Sequence, residues 1–365
     1  MHHKPSNTPI AIFGWGVVAP GAADLKAFRD AIDRGESVLG LANSSELGHG
    51  LFAIGNPAFA FSSSDYPPFA PATVAGAWTW TSNDVRVAQV VTAALTLSAV
   101  SMLAVAVLRF ARPTMGRLAL PVAALAILAV YAIADAVPES PGTNGYVDLL
   151  WSAAFVASVL LLTRSATNAD VRVGAACMAV ACLTKTEGLM CAVVLAVVVI
   201  ALRRDRATAG WLGLALLPCV VWSATARLLG ARSLLLTESH YGGLLRLDPE
   251  VTRRVAPTFR AMWHQSWLLL VIAGLMTGLG VLVAQASRRS LAGPSALVMW
   301  SIWVCTSGLV GLAFVVSPLE IEGHLRFAVD RTSIAGNLLL LCEVLLWTCA
   351  AVRGLRASGR PVRVS

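Results

Sequence analysis

From about Val87 onward the chain alternates long apolar runs with short polar stretches that carry arginine. The runs are rich in Ala, Leu and Val, and most approach the twenty or so residues that a helix needs to cross a bilayer. They fall at 88–110, 118–137, 147–163, 173–184, 188–202, 211–229, 267–286, 296–316 and 334–352. The pattern predicts an all-α polytopic membrane protein with about nine membrane segments, including a broken pair at 173–202. Residues 1–86 read differently. Their longest apolar run, IAIFGWGVVAP, is too short to span a bilayer. It is followed by a polar, helix-compatible stretch and then by a region rich in Gly, Asn, Ser and Pro. The start, MHHKPSNTPI, lacks the apolar stretch of a cleavable signal peptide.

The arginines order the segments. Arg109, Arg112 and Arg117 share one connection, Arg164 and Arg172 the next, then Arg203, Arg204 and Arg206, then Arg288 and Arg289. The tail adds Arg353, Arg356, Arg360 and Arg363. All fall on one side if the chain crosses at every candidate segment, and short Lys/Arg-rich loops face the cytoplasm. The expected location is therefore the cell (inner) membrane, with the C-terminus and these loops cytoplasmic. The loops 138–146, 230–266 and 317–333, and residues 1–86, then lie outside.

This alternation also decides how 173–202 is divided. A single helix there would invert every later loop, whereas two short segments meeting at Lys185-Thr186-Glu187-Gly188 keep the order. The first would cover roughly 18 Å of a core about 30 Å thick. The turn is therefore expected at membrane depth, where non-helical backbone persists only against protein or a wet cavity.

Composition agrees with the pattern. The chain is 57% hydrophobic and only 13% charged, with a mean hydropathy of +0.71. A soluble domain carries about a quarter charged residues, so a polar surface cannot be built here. The net charge of +8 sits in loop clusters, which orients a membrane protein rather than binding nucleic acid, and no nucleic-acid partner is expected. The seven cysteines lie in apolar runs without ligand spacing and read as small hydrophobes.

Four groups of residues can carry chemistry. Lys185 and Glu187 are ionisable groups at expected membrane depth, which by default mark a function. Lys185 can neutralise a buried phosphate, and Glu187 can hold the lysine or bind a hydroxyl. A structural ion pair closing a helix break is the plainer alternative. Tyr146 and Asp148 belong to the short external loop GTNGYVDLL, where Asp148 either faces a substrate or simply favours a helix start. Asp65-Tyr66-Pro67-Pro68 leads into the first span, and Tyr66 with Trp78 and Trp80 suits an interfacial belt. Glu320, Glu322, His324, Arg326, Asp330 and Arg331 form a charged external stretch. Its arginines either bind phosphate or a sugar carboxylate, or pair on a solvated face.

The order of these motifs, DYPPFAP (65–71), TNGYVDL (143–149), CLTKTEG (182–188) and HLRFAVDR (324–331), resembles bacterial membrane glycosyltransferases of the GT-C class. The resemblance covers roughly residues 63–350. It implies transfer of a sugar from a polyprenyl-phosphate donor to an acceptor on the outer face, with membrane lipid as the surrounding partner. Lys185, Glu187, Asp148, Tyr146, Tyr66, His324, Arg326 and Arg331 would bind substrate. The resemblance implies no certain cofactor, although a divalent metal would be compatible with a leaving phosphate.

The chain departs from that class at its start, where a further span and an external loop with the catalytic acid are expected and neither is recognisable in residues 1–62. Asp65 and Glu46 are the only nearby carboxylates to stand in for the base. Instead, residues 8–39 resemble the first strand and helix of β-ketoacyl synthase-like proteins, and 51–61 continue the likeness. The nucleophile and histidines of such synthases have no counterpart, so no condensing activity is expected. Three parts follow: 1–62, a synthase-like N-terminal segment; 63–352, the multi-span domain; and 353–365, a basic cytoplasmic tail. Three function classes are open: a sugar transferase, whole or impaired; a transporter or flippase-like protein; and a non-catalytic product of gene rearrangement.

Overall fold

The computed structural model describes residues 11–13, 16–18, 67, 69–81, 85–135, 147–164, 167–228, 243, 246, 248–287, 293–317 and 320–358. Apart from an antiparallel pair of three-residue strands, β1 (Ala11–Phe13) and β2 (Gly16–Val18), these residues are helical except at helix ends and short connections. Ala11 pairs with Val18 and Phe13 with Gly16. The rest of the segment likened to a synthase lies outside the described residues.

Eleven α-helices follow among the described residues: α1 (Phe69–Trp80), α2 (Val85–Met115), α3 (Ala119–Asp135), α4 (Asp148–Arg164), α5 (Asn168–Thr184), α6 (Thr186–Arg203), α7 (Arg206–Leu228), α8 (Pro249–Ser287), α9 (Gly293–Val316), α10 (Ile321–Thr332) and α11 (Ile334–Ser358). Among the described residues six helical stretches are long and apolar enough to cross a membrane: Gln89–Ile133, Thr186–Arg203, Arg206–Leu228, Pro249–Leu282, Ala296–Val316 and Ala328–Arg353. The expected count of about nine is not confirmed. Two causes are geometric. α2 and α3 run through the 3₁₀ turn Gly116–Leu118 as one apolar stretch, and α4 and α5 have only 17 residues each, about 26 Å of helix. Gly116 has φ +61°, a conformation open to glycine at little cost, and α2 and α3 pack on each other on either side of it.

Local sequence sets the helix ends. Thr167 caps α5: its hydroxyl accepts from the Asp170 backbone N–H at 3.2 Å and donates to the Asp170 carboxylate at 2.8 Å. Asp205 caps α7 by accepting from the Thr208 N–H at 2.7 Å. Asp248 accepts from the Glu250 N–H at 2.9 Å ahead of α8, which opens on Pro249. The expected segment 267–286 is thereby extended to a 39-residue helix. Its N-terminal part is too polar for a hydropathy window, yet it is helical.

α4 is the centre of the bundle. From Leu149 to Leu162 every residue is buried, because α2, α5, α6 and α11 surround it. A helix apolar on all sides requires such a sheath. Helices with exposed apolar faces lie outside it, and α7 and α8 expose leucines such as Leu214, Leu275, Leu279 and Leu282.

The break inside 173–202 is present and sharper than expected. Only Lys185 leaves the helix, with φ −155° and ψ 149°, while Thr186, Glu187 and Gly188 already belong to α6. α5 also starts earlier than the expected 173, at Asn168, because the Thr167 cap extends it through a polar first turn. Lys185 is enclosed by protein, 1% exposed. The corner needs Gly188, since a Cβ there would sit 2.1 Å from the Ala181 carbonyl oxygen. Backbone cannot yield as a side chain does, so Gly188→Ala should destabilise the fold by about 1–3 kcal/mol or more. Loss of monodisperse protein in detergent and a lowered melting temperature would report this, and an unchanged melting temperature would contradict it.

Candidate functional site

The antiparallel run of α4 and α5 brings the first residue of α4 to the last turn of α5. Lys185 donates through Nζ to Asp148 Oδ1 at 2.6 Å, and lies 3.1 Å from Glu187 Oε1. Asp148 and Lys185 are each 1% exposed. Three helix ends thus meet on one ammonium: the start of α4, the end of α5 and the start of α6. The two carboxylates also sit at helix N-termini, where the dipole favours negative charge. Breaking such a buried pair costs about 3–5 kcal/mol.

Both carboxylates have a second oxygen, Asp148 Oδ2 and Glu187 Oε2, that is buried without a hydrogen-bond partner among the described residues. Other unpartnered buried atoms lie close in the chain: Trp151 Nε1 and Ser152 Oγ, one turn further along α4, and Thr186 Oγ1 beside Lys185. Residues three and four apart share a helix face, so Trp151 and Ser152 stand beneath Asp148. Most buried polar groups are bonded, which makes this concentration a feature of the site.

α10 adds His324. Its ring lies 4.7 Å from that of Phe314, and its Nδ1 is buried without a partner among the described residues. Burial first, then the positive charges of Lys185 and Arg254, push it from its ordinary 6.5 down to about 4. It is therefore neutral near pH 7. Arg254 itself donates to the Ser317 carbonyl at 2.5 Å and lies 3.6 Å from Glu250, which fixes the start of α8 to the end of α9.

Of the residues expected to bind substrate, the structure brings together Lys185, Glu187 and Asp148, and sets His324 within reach of the lysine's charge. Arg331 is buried near the end of α10, and Asp330 beside it accepts from Gln265 at 2.5 Å. Arg326 belongs to the same helix. Tyr146, Tyr66, Asp65 and Glu46 lie outside the described residues. Among the described residues no group of three or more His, Cys, Asp or Glu could hold a metal ion. Asp148 and Glu187 already share an ammonium, so this donor set does not fit a divalent metal, and no step below runs through one.

A second buried polar group was not anticipated. Glu343, 1% exposed, accepts from Thr277 at 2.9 Å and from the Trp347 indole at 2.8 Å, while Trp300 donates to Thr277 at 3.0 Å. It joins α8, α9 and α11. The signal was available: one carboxylate inside LLLLCEVLLW is the kind of intramembrane charge that marks a role. Asn337, which accepts from Ser266 at 2.7 Å and donates to the Gln265 carbonyl at 3.3 Å, carried no comparable signal.

The opposite end of the bundle is basic. Arg109 pairs with Asp170, Arg203 donates to the Leu162 carbonyl at 3.2 Å, Arg353 donates to Thr114 at 3.1 Å, and Arg172 lies 5.3 Å over the Trp211 ring. Burial opposes ionisation of Asp170, but its bonds to Thr167 and Arg109 outweigh this and lower its pKa. From Glu187 to Arg203 α6 rises about 24 Å, so an acidic–lysine end and an arginine end are held roughly a bilayer core apart.

No protein-family model, curated protein or solved structure matches the chain.

Acidification should loosen the seat of α10. With its folded pKa below the free value, His324 contributes stability that is complete above about pH 6.5 and is lost as pH falls toward 4. Melting curves in detergent between pH 7.5 and 4.5 should show the loss, and His324→Gln should flatten this part of the profile. An unaltered profile in that variant would refute the assignment.

Proposed function

We propose that the chain is a GT-C-like membrane glycosyltransferase, which moves a sugar from a polyprenyl-phosphate carrier to an acceptor at the outer face. The observation that carries this reading is the convergence of Asp148, Lys185 and Glu187 from three helix ends. These residues come from two of the four motifs whose order resembles that class. In this reading a buried polar centre positions the substrate at the membrane's edge, and apolar helix faces accommodate the isoprenoid chain. Preorganised charge at such a centre stabilises the developing charge of the transfer step.

In membranes, radiolabelled sugar should pass from a lipid-phosphate donor to endogenous acceptors, and Lys185→Ala should lower the rate by at least about tenfold. Because this variant leaves two buried carboxylates unbalanced, the amount of folded protein is measured in parallel. Equal rates per folded molecule would remove the centre from the mechanism. Absence of transfer in both proteins would favour a non-catalytic membrane protein.

A transporter is the second reading. A helix interrupted at a buried charge is a feature of transporters, and Glu343 adds a buried carboxylate within Ala328–Arg353, a stretch apolar enough to cross a membrane. Counterflow of labelled substrate in proteoliposomes without chemical transfer would support it.

The arginine end is proposed to face the cytoplasm, because short basic connections are retained there. With Cys305, the exposed native cysteine among those described, replaced by serine, a cysteine introduced at exposed Glu322 should react with an impermeant thiol reagent on intact cells. One at exposed Asp205 should react only after lysis. The reverse pattern would invert the arrangement.

A further inference from the structure

The expected role of Lys185 was to neutralise a phosphate, and the geometry points elsewhere. Its ammonium already meets two carboxylates, at 2.6 and 3.1 Å; Lys185 and Asp148 are sealed from bulk water, while the Glu187 side chain keeps 13% of its surface open. Two carboxylates against one ammonium leave the centre formally negative. A phosphate entering here would meet net repulsion in a low-dielectric setting, where charge interactions are strongest. It would also have to displace a carboxylate from the lysine.

What the centre lacks is neutral hydrogen-bonding partners. Among the described residues Asp148 Oδ2 and Glu187 Oε2 are acceptors without a donor, and they belong to the same carboxylates that grip Lys185, so they border the centre itself. Trp151 Nε1 is a donor without an acceptor, Ser152 Oγ can do either, and both residues are fully buried. Acceptors and donors mixed in this way, beside an indole, match a group that both gives and takes hydrogen bonds without carrying charge.

We propose that the Asp148–Lys185–Glu187 centre binds the hydroxyl groups of an uncharged polyol and excludes anions, with Lys185 acting as a fixed internal counter-ion. This deepens the transferase reading, on which it rests for taking the polyol to be the sugar rather than another hydroxyl compound. The phosphate of a lipid-linked donor would then lie away from Lys185.

The test uses the full chain in nanodiscs. Methyl α-glucoside, α-mannoside and α-galactoside serve as neutral probes, read by saturation-transfer NMR. Inorganic phosphate is the anionic probe, read by ³¹P line broadening. At least one glycoside should receive saturation from the wild type, and Trp151→Phe, which keeps the ring but loses the N–H, should weaken it about tenfold. Phosphate should show no broadening with the wild type. Glu187→Gln removes the excess negative charge, and phosphate broadening should then appear, a gain that misfolding cannot produce. Phosphate binding to the wild type that Lys185→Ala abolishes would overturn the proposal. So would a glycoside signal from none of the three, or no phosphate gain in Glu187→Gln. Sugar transfer in membranes without any glycoside signal would remove this inference alone. A glycoside signal without transfer would remove the transferase reading and leave the binding site standing.

Discussion

One ammonium group fixes the centre of this bundle. Lys185 lies between Asp148 and Glu187, and each of the three begins or ends a different helix. α4 cannot slide along α5 without separating Asp148 from Lys185. α6 cannot rotate at its first turn without withdrawing Glu187. Because α4 is sheathed on every side, the position of its first residue sets the register of the helices around it. A buried ion pair is weak support for stability taken alone, since desolvation offsets much of the attraction. Here its effect is on register, and Gly188 permits the close corner that the pairing requires.

The two ends of the molecule are built from different chemistry. At one end, a lysine is enclosed and paired with two carboxylates. At the other, arginines reach outward, and Arg109, Arg203 and Arg353 each tie one helix to another. Between them lies a buried polar cluster in which Glu343 accepts from Thr277 and Trp347, while Trp300 donates to Thr277. Gly280 lets the Trp347 ring approach the α8 backbone there, since a Cβ would lie 2.1 Å from the ring.

The helices themselves were largely legible in the sequence, because hydropathy reports the length of an apolar run directly. The broken pair was legible too, through the arginine alternation, which would have inverted at Arg203 and Arg204 had α5 and α6 been one helix. Membership of a span was harder to read. α4 and α5 are too short for an uncomplicated crossing, and nothing in a run of Ala and Leu says whether lipid or protein surrounds it. The meeting of Asp148 with Lys185 could not be deduced either, since motif order places residues along the chain and not against one another. Glu343 stood visibly alone in its apolar run, but it accepts from Thr277, 66 residues earlier in the chain. The start of α8 escaped because a polar amphipathic helix has no hydropathy signal of its own.

The burial of α4 also has a consequence for the order of assembly. Asp148 is made 37 residues before Lys185. During synthesis, α4 therefore emerges with its carboxylate unpaired and with α5, α6 and α11 still to come. A helix so apolar on all sides reaches its final surroundings only when those later segments enclose it. The corner at Lys185 delivers the missing charge and starts α6 at once, so pairing and enclosure come from the same short stretch of chain. Maturation of the centre is in this sense a late event, timed by the emergence of a single residue.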